Sequence, residues 1–162
     1  MTKKESICRY TDYIETHRNN IKHSFSIMKR KCIDILDQYN IDLSKLESLV
    51  DNHDLSKYSD EEFEPYRRKF FLSDEDEAVD ENEFEKACLH HYEYNKHHWN
   101  YWVGKVQDIP YIYVVEMTLD WIAMGIQFNN TALEYYENNK SKITIPENAE
   151  KLFYLLVNKY YN

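Results

Sequence analysis

Histidine and aspartate are the residues of this chain whose types and spacing could do chemistry. Seven histidines occur, at positions 17, 23, 53, 90, 91, 97 and 98. His53 is followed directly by Asp54. Neutral imidazoles and carboxylates are normal ligands of divalent metals. A cation held by them lowers the pKa of a bound water and polarises an anionic substrate. Whether these residues can meet depends on the elements that carry them.

The apolar spacing predicts helices throughout. The first is expected from Lys3 to Tyr39, with Thr2 and Glu5 as a capping box. Its inward stripe is Ile7, Tyr10, Ile14, Ile21, Met28, Cys32 and Ile35, in steps that a 3.6-residue period requires. His17 falls between Ile14 and Ile21 and therefore faces inward. His23 lies six residues further, about 240° around the helix, and faces away. A turn at 40–43 and a capping box of Ser44 with Glu47 begin a second helix. Leu46, Leu49 and Val50 lead from there to His53.

A third helix is expected over Glu61 to Phe71. The acidic segment from Ser73 to Glu83 has no apolar period and reads as a solvated loop. A fourth helix, Asn82 to Trp102, places Phe84, Ala87, Cys88, His91, Asn95, His98 and Trp102 on one stripe. His91 and His98 then face inward; a break near Asn95 would reopen the choice between His97 and His98. A break at Gly104–Asp108 precedes a fifth helix, from Pro110 in its first turn to about Gly125. On it Glu116 and Asp120 are i,i+4 neighbours. Asp120 sits among Met117, Leu119 and Trp121, where a lone carboxylate is costly. Asn129 and Asn130 form a turn before a helix from Thr131 to Asn139. Thr144 and Glu147 box a last helix from Pro146 to Tyr160, and 143–145 has the pattern of an extended segment. The expected fold is all-α: a single-domain helical bundle of six or seven helices over 1–162.

Four helices thus turn ligand-type groups inward: His17, His53 with Asp54, His91 with His98, and Asp120. One such residue is more often a satisfied core histidine or an ion-paired acid. Burying the whole set is expensive unless a cation compensates it.

Composition narrows the function. The 162 residues are 43% hydrophobic and 30% charged, with only 2 Gly and 3 Pro, which favours long helices over a many-stranded fold. The net charge of −9 repels phosphate backbones, so general nucleic-acid binding is not expected. Cys8, Cys32 and Cys88 form no CxxC pair and read as reduced, partly buried helical thiols of a cytoplasmic protein. No stretch reaches the ~18 apolar residues that a bilayer span needs, and the first residues carry no apolar leader. The 15 tyrosines suit helix borders.

The order H … HD … H … H … D resembles the HD superfamily of metal-dependent phosphohydrolases, and also the HD-type di-iron oxygenases. The segments YIETHRNN, NHDLSKYSDEEFEPY, HHYEYNKHHWNYW and VVEMTLDWIAM are similar to those of a family of small HD-like bacterial and phage proteins without an assigned activity. The similarity runs from about Tyr13 to Glu137. It implies an HD-like bundle in which His17, His53, Asp54 and Asp120 hold a first metal. His91 and His97 or His98 would complete a second site, with Asp54 bridging. Lys57 matches the lysine of an HDxxK pattern, which touches phosphate or another anion in relatives; otherwise it is a surface lysine beginning a loop.

Three functions are expected on this basis. The first is phosphoester hydrolysis of a nucleotide or other small phosphorylated metabolite, with one or two divalent ions (Mn, Fe, Co, Ni, Mg or Zn). Asp54, Lys57 and Glu116 are its catalytic candidates, the last by holding a water or a ligand histidine. Lys57, Arg18 and Asn95 are candidate substrate contacts. The second is oxidation of a small anionic substrate by two irons. The third is a non-catalytic metal- or nucleotide-binding role. Trp99, Tyr101 and Trp102 could serve a partner surface, and exposed aromatics are compatible with a homo-oligomer.

Overall fold

Helices form wherever the apolar period and the caps agree, and the computed structural model, which describes residues 1–105 and 107–162, is all-helical. Among the described residues there are nine α-helices, one single-turn 3-10 helix and no strand. They are α1 (Lys3–Lys31), α2 (Ile33–Gln38), α3 (Leu43–Asn52), the 3-10 helix (Leu55–Tyr58), α4 (Phe63–Phe70), α5 (Glu81–Tyr94), α6 (Trp99–Trp102), α7 (Tyr111–Phe128), α8 (Ala132–Asn139) and α9 (Glu147–Tyr161).

Side-chain caps start α1, α3, α5 and α8, and several expectations are corrected. Thr2 and Glu5 do form their box, with the Thr2 N–H donating to Glu5 Oε2 at 2.8 Å and the Glu5 N–H to Thr2 Oγ1 at 3.2 Å. The first helix is not continuous to Tyr39. It ends at Lys31 on the basic run Lys29–Arg30–Lys31, which suits a helix C-terminus, and α2 restarts after Cys32. The apolar stripe continues across this break, so periodicity does not see it. Asp42 rather than Ser44 caps α3, accepting from the Lys45 N–H at 3.0 Å. The Thr144 and Glu147 box is absent, because α9 begins behind Pro146. Pro110 likewise precedes α7 instead of opening it. An unforeseen box, Thr131 with Glu134, starts α8. The segment 143–146 has no regular structure. Of the expected break at 104–108, Val106 lies outside the described residues.

The chain divides into two compact units. One comprises Met1–Thr16 and Asp54–Asn95. Its α4 and α5 pack on one another and on the 3-10 helix. Tyr10 of α1 is buried there against Phe63 and Phe71, with ring centroids 5.1 and 5.7 Å apart. Arg67 of α4 is fully buried, which a guanidinium tolerates only when paired. It donates to Ser6 Oγ and Asp76 Oδ2, both at 2.6 Å, and to Glu64 Oε2 at 2.7 Å. The acidic segment 73–83 is therefore not merely solvated: Ser73 and Val79 are buried, and Asp76 neutralises an interior cation. Arg67 and the Ser73 hydroxyl hold the Asp76 carboxyl below its ordinary value of 3.8.

The other unit comprises His17–His53 and Lys96–Asn162. Its centre is α7, which packs against α9, α8 and α3. Every residue from Val114 to Ala123 is buried, as expected of a helix enclosed on all sides. Trp121, Tyr136 and Phe153 pack ring on ring beside it, with Trp121 5.7 and 5.3 Å from the other two. Asn129 ends α7 in the left-handed conformation at φ 55°. The chain returns so tightly that a Cβ on Gly125 would lie 2.5 Å from the Asn130 carbonyl oxygen. Cys32 is buried between α1 and α2, Cys88 is half-buried and Cys8 is exposed, so the expectation of three partly buried helical thiols holds only in part. No helix of the described residues is long and apolar enough to cross a membrane.

Two predictions follow from these contacts. Alanine is favoured over glycine inside a helix by ~1 kcal/mol, but a clash with backbone cannot be relieved by rotating a side chain. Gly125→Ala is expected to lose about 1–3 kcal/mol of stability; a lowered urea midpoint at unchanged slope checks this. Asp76→Asn is expected to lower the melting temperature at neutral pH. A carboxyl with a depressed folded-state pKa stabilises above its unfolded value and loses that contribution on acidification. The gap between variant and wild type therefore narrows as the pH falls below 3.8.

Candidate metal centre

His17 stands on the inward stripe of α1 and is buried. His53 is the C-cap of α3, and Asp54 follows in the left-handed conformation at φ 58°, ψ 18°. Aspartate tolerates that region better than most residues, and such a backbone clusters at functional positions. Arg18 secures the end of α3. Its Nε donates to the His53 carbonyl at 3.1 Å and one terminal nitrogen to the Asp51 carbonyl at 2.8 Å. These are carbonyls that a helix leaves without partners. Arg18, a candidate substrate contact by sequence, thus serves the backbone that carries His53.

Three ligand atoms converge in the larger unit. His17 Nε2 lies 3.0 Å from Asp120 Oδ1 and 3.3 Å from His53 Nε2, and His53 Nε2 lies 3.6 Å from Asp120 Oδ1. Glu116, one turn before Asp120 on α7, explains the orientation of His53. Its Oε1 lies 3.2 Å from His53 Nδ1 and 3.3 Å from His97 Nδ1. The two imidazoles stack at 4.1 Å. Burial pushes the Glu116 carboxyl up, but the hydrogen bonds from His53 and His97 prevail and lower it to about 2. An ionised Glu116 can only accept, so either ring bonds it through Nδ1 when that nitrogen carries the hydrogen. Burial likewise opposes ionisation of Asp120, and the bonds from His17 and His53 hold it well below the ordinary carboxylate range.

The donor set fits a metal. A neutral His53 that donates through Nδ1 to Glu116 has its lone pair on Nε2, the atom that a cation would take. His17 Nε2 is within hydrogen-bond distance of Asp120 Oδ1, and the 3.0–3.6 Å spacing of the three atoms is also that of ligands around one ion. Ligand bonds of ~2.1 Å set neighbouring ligand atoms about 3.0 Å apart at a right angle and about 3.4 Å at a tetrahedral angle. His17, His53 and Asp120 could hold a metal ion, and so could His53, His97 and Glu116. The first trio suits it better, because Glu116 is already engaged by two N–H donors.

The smaller unit holds a second set. Lys57 Nζ donates to Asp54 Oδ2 at 2.6 Å, and His91 Nε2 lies 3.4 Å from Asp54 Oδ1. Glu62, fully buried, lies 2.7 Å from His91 Nδ1 through one oxygen and 2.7 Å from His90 Nδ1 through the other. Asn95, expected as a substrate contact, is the C-cap of α5 and donates to Ser56 Oγ at 2.7 Å and to the His91 carbonyl at 2.8 Å.

Sequence phasing thus places His17, His53 and Asp120 where they meet, and His23 is exposed. The expected helix from 82 to 102 breaks at Asn95, so its phase does not carry to His98. His97 is buried against Glu116, while His98 is half-buried with its ring 4.2 Å from that of His97. Trp99 and Trp102 are packed against the hydrophobic core. Glu62 was missed; its only signal is its place inside the NHDLSKYSDEEFEPY segment, where it looks like one more acid of a solvated run.

A family model described as a family of unknown function, DUF5662, matches residues 6–159. The chain belongs to that family. No curated protein and no solved structure matches it.

The pairing of Glu116 with His53 can be tested directly. Carboxylates that orient ligand histidines typically contribute 10–100-fold to metal affinity. Glu116→Gln is expected to weaken Mn(II) or Co(II) binding by roughly that factor. Titration calorimetry checks it, and equal affinity would show that Glu116 only packs.

Proposed function

We propose that the protein is a metal-dependent phosphohydrolase that acts on a nucleotide or another small phosphorylated metabolite. The observation that carries this reading is the convergence of His17 Nε2, His53 Nε2 and Asp120 Oδ1 within 3.0–3.6 Å in a buried setting. A divalent cation held there supplies Lewis acidity: it lowers the pKa of a water and polarises a phosphoryl oxygen. His17, His53 and Asp120 fix its position. Glu116 keeps His53 turned so that Nε2 remains the coordinating atom. The HD resemblance adds Asp54, the next residue of the chain, to the ligands.

Lys57 is assigned to the anionic group of the substrate. Its ammonium is held by Asp54, which sets the position of the charge before any substrate arrives. The net charge of −9 favours small substrates over polyanions, since a single local cation can attract one phosphate group while the surface repels a nucleic-acid backbone.

Two histidines with one carboxylate are also the ligand set of non-haem iron enzymes that activate dioxygen. This supports a second reading, oxidation of a small anionic substrate, and metal content decides between them. Elemental analysis of the purified protein, with a metal-supplemented screen of phosphoric esters, is the test. An iron-free Mn, Co, Ni, Mg or Zn protein that releases phosphate supports hydrolysis. Tightly bound iron with a visible charge-transfer band and no phosphate release overturns it in favour of the oxygenase.

His53→Ala is expected to lose both metal and turnover, and retained metal refutes the centre. Lys57→Ala is expected to keep its metal and to lose roughly tenfold or more in kcat/KM, the worth of one hydrogen bond to a charged group. A loss falling mainly on KM matches contact with substrate.

A further inference from the structure

Glu62 stands immediately before α4, yet its side chain is fully buried. Each of its oxygens accepts from a different imidazole, and in both rings the nitrogen concerned is Nδ1. The Ser56 hydroxyl also bonds this carboxylate and accepts from Asn95 Nδ2 at 2.7 Å. Asn95 is held in turn on the His91 carbonyl. His90 and His91 of α5 and Ser56 of the 3-10 helix thus hold one carboxylate, with Asn95 behind Ser56.

The opposite face of the His91 ring is arranged differently. His91 Nδ1 and Glu62 are 2.7 Å apart, a close charge-assisted contact. His91 Nε2 and Asp54 Oδ1 are 3.4 Å apart, beyond the ~2.7–3.2 Å of an ordinary N–H···O bond. That is, however, about the separation of two ligand atoms sharing one ion at a tetrahedral angle. A core salt bridge built for stability alone would close both contacts. Here one is closed and the other is left at ligand spacing.

We infer that Glu62 is a positioning residue: it holds His91 by Nδ1 so that Nε2, beside Asp54 Oδ1, is presented to a divalent cation. The inference rests on the metal reading given above and extends it to a residue of the smaller unit. A carboxylate with two N–H donors fixes the tautomer of each ring, which a neutral side chain of the same shape does not. His90 then serves as the second donor that keeps Glu62 from rotating, and its ring stacks on Tyr94 at 4.3 Å.

Cobalt(II) is the probe, because its visible spectrum reports the ligand set without reference to turnover. Wild type and Glu62→Gln are titrated with Co(II), and the melting temperature of each metal-free protein is recorded. Glu62→Gln is expected to keep its helical circular dichroism, to lose about 10–100-fold in Co(II) affinity and to change the visible band of the bound ion. The same affinity and the same band as wild type overturn the assignment. If the variant fails to fold, two-bond proton–nitrogen NMR of the metal-free wild type decides instead, with the His91 ring assigned by loss of its signals in His91→Gln. A hydrogen on His91 Nδ1 supports the inference, and an Nε2–H tautomer with bare Nδ1 overturns it. A wild type that takes up no Co(II) overturns the metal reading itself, whereas loading of wild type and variant alike removes only the role of Glu62.

Discussion

A buried carboxylate that receives the Nδ1 of two imidazoles is the interaction on which the polar interior depends, and it occurs twice. Glu116 takes His53 and His97, and Glu62 takes His90 and His91. Taking an ion out of water costs several kcal/mol after relaxation. Each glutamate offsets that with two charge-assisted contacts, and each leaves an Nε2 facing other polar groups. His53 and His91 each meet a glutamate through Nδ1, at 3.2 and 2.7 Å.

The turn at His53–Asp54 depends on the same economy of space. Within a helix, consecutive side chains diverge by about 100°. α3 ends at Asn52, and Asp54 turns into the left-handed region. His53 joins His17 and Asp120, while Asp54 joins Lys57 and His91. Arg18 holds the last carbonyls of α3 and so sets where this turn begins. The enclosure of α7 has a parallel effect. Val114 to Ala123 are all buried, so Glu116 and Asp120 have little access to bulk water. The imidazoles of His17, His53 and His97 favour their ionised form.

Charge composition conceals a second case. The run around 73–83 looks like a soluble loop by every compositional measure, yet Asp76 and Ser73 complete the partners of a fully buried Arg67. In the acidic run at 60–62, Asp60 and Glu61 are exposed but Glu62 is not. A carboxylate in an acidic stretch is interior when a cation or an imidazole waits for it, and that partner comes from a distant part of the chain.

The sequence by itself determined the helical class, most helix positions and the inward faces of α1 and α7, because these depend on local periodicity and caps. It therefore turned His17 and Asp120 inward and set His23 aside. Only the tertiary structure decided where periodicity is interrupted without an apolar signal: the restart after Lys31, the break at Asn95 and hence the burial of His97 in preference to His98. Only the tertiary structure found Glu62, and only it moved Arg18 onto backbone carbonyls. The reason is physical. Which face of a helix is apolar is a property of neighbours three and four residues apart. Which nitrogen of a histidine is engaged, and which acid is buried, depends on partners about thirty to sixty residues away, whose approach no local pattern encodes.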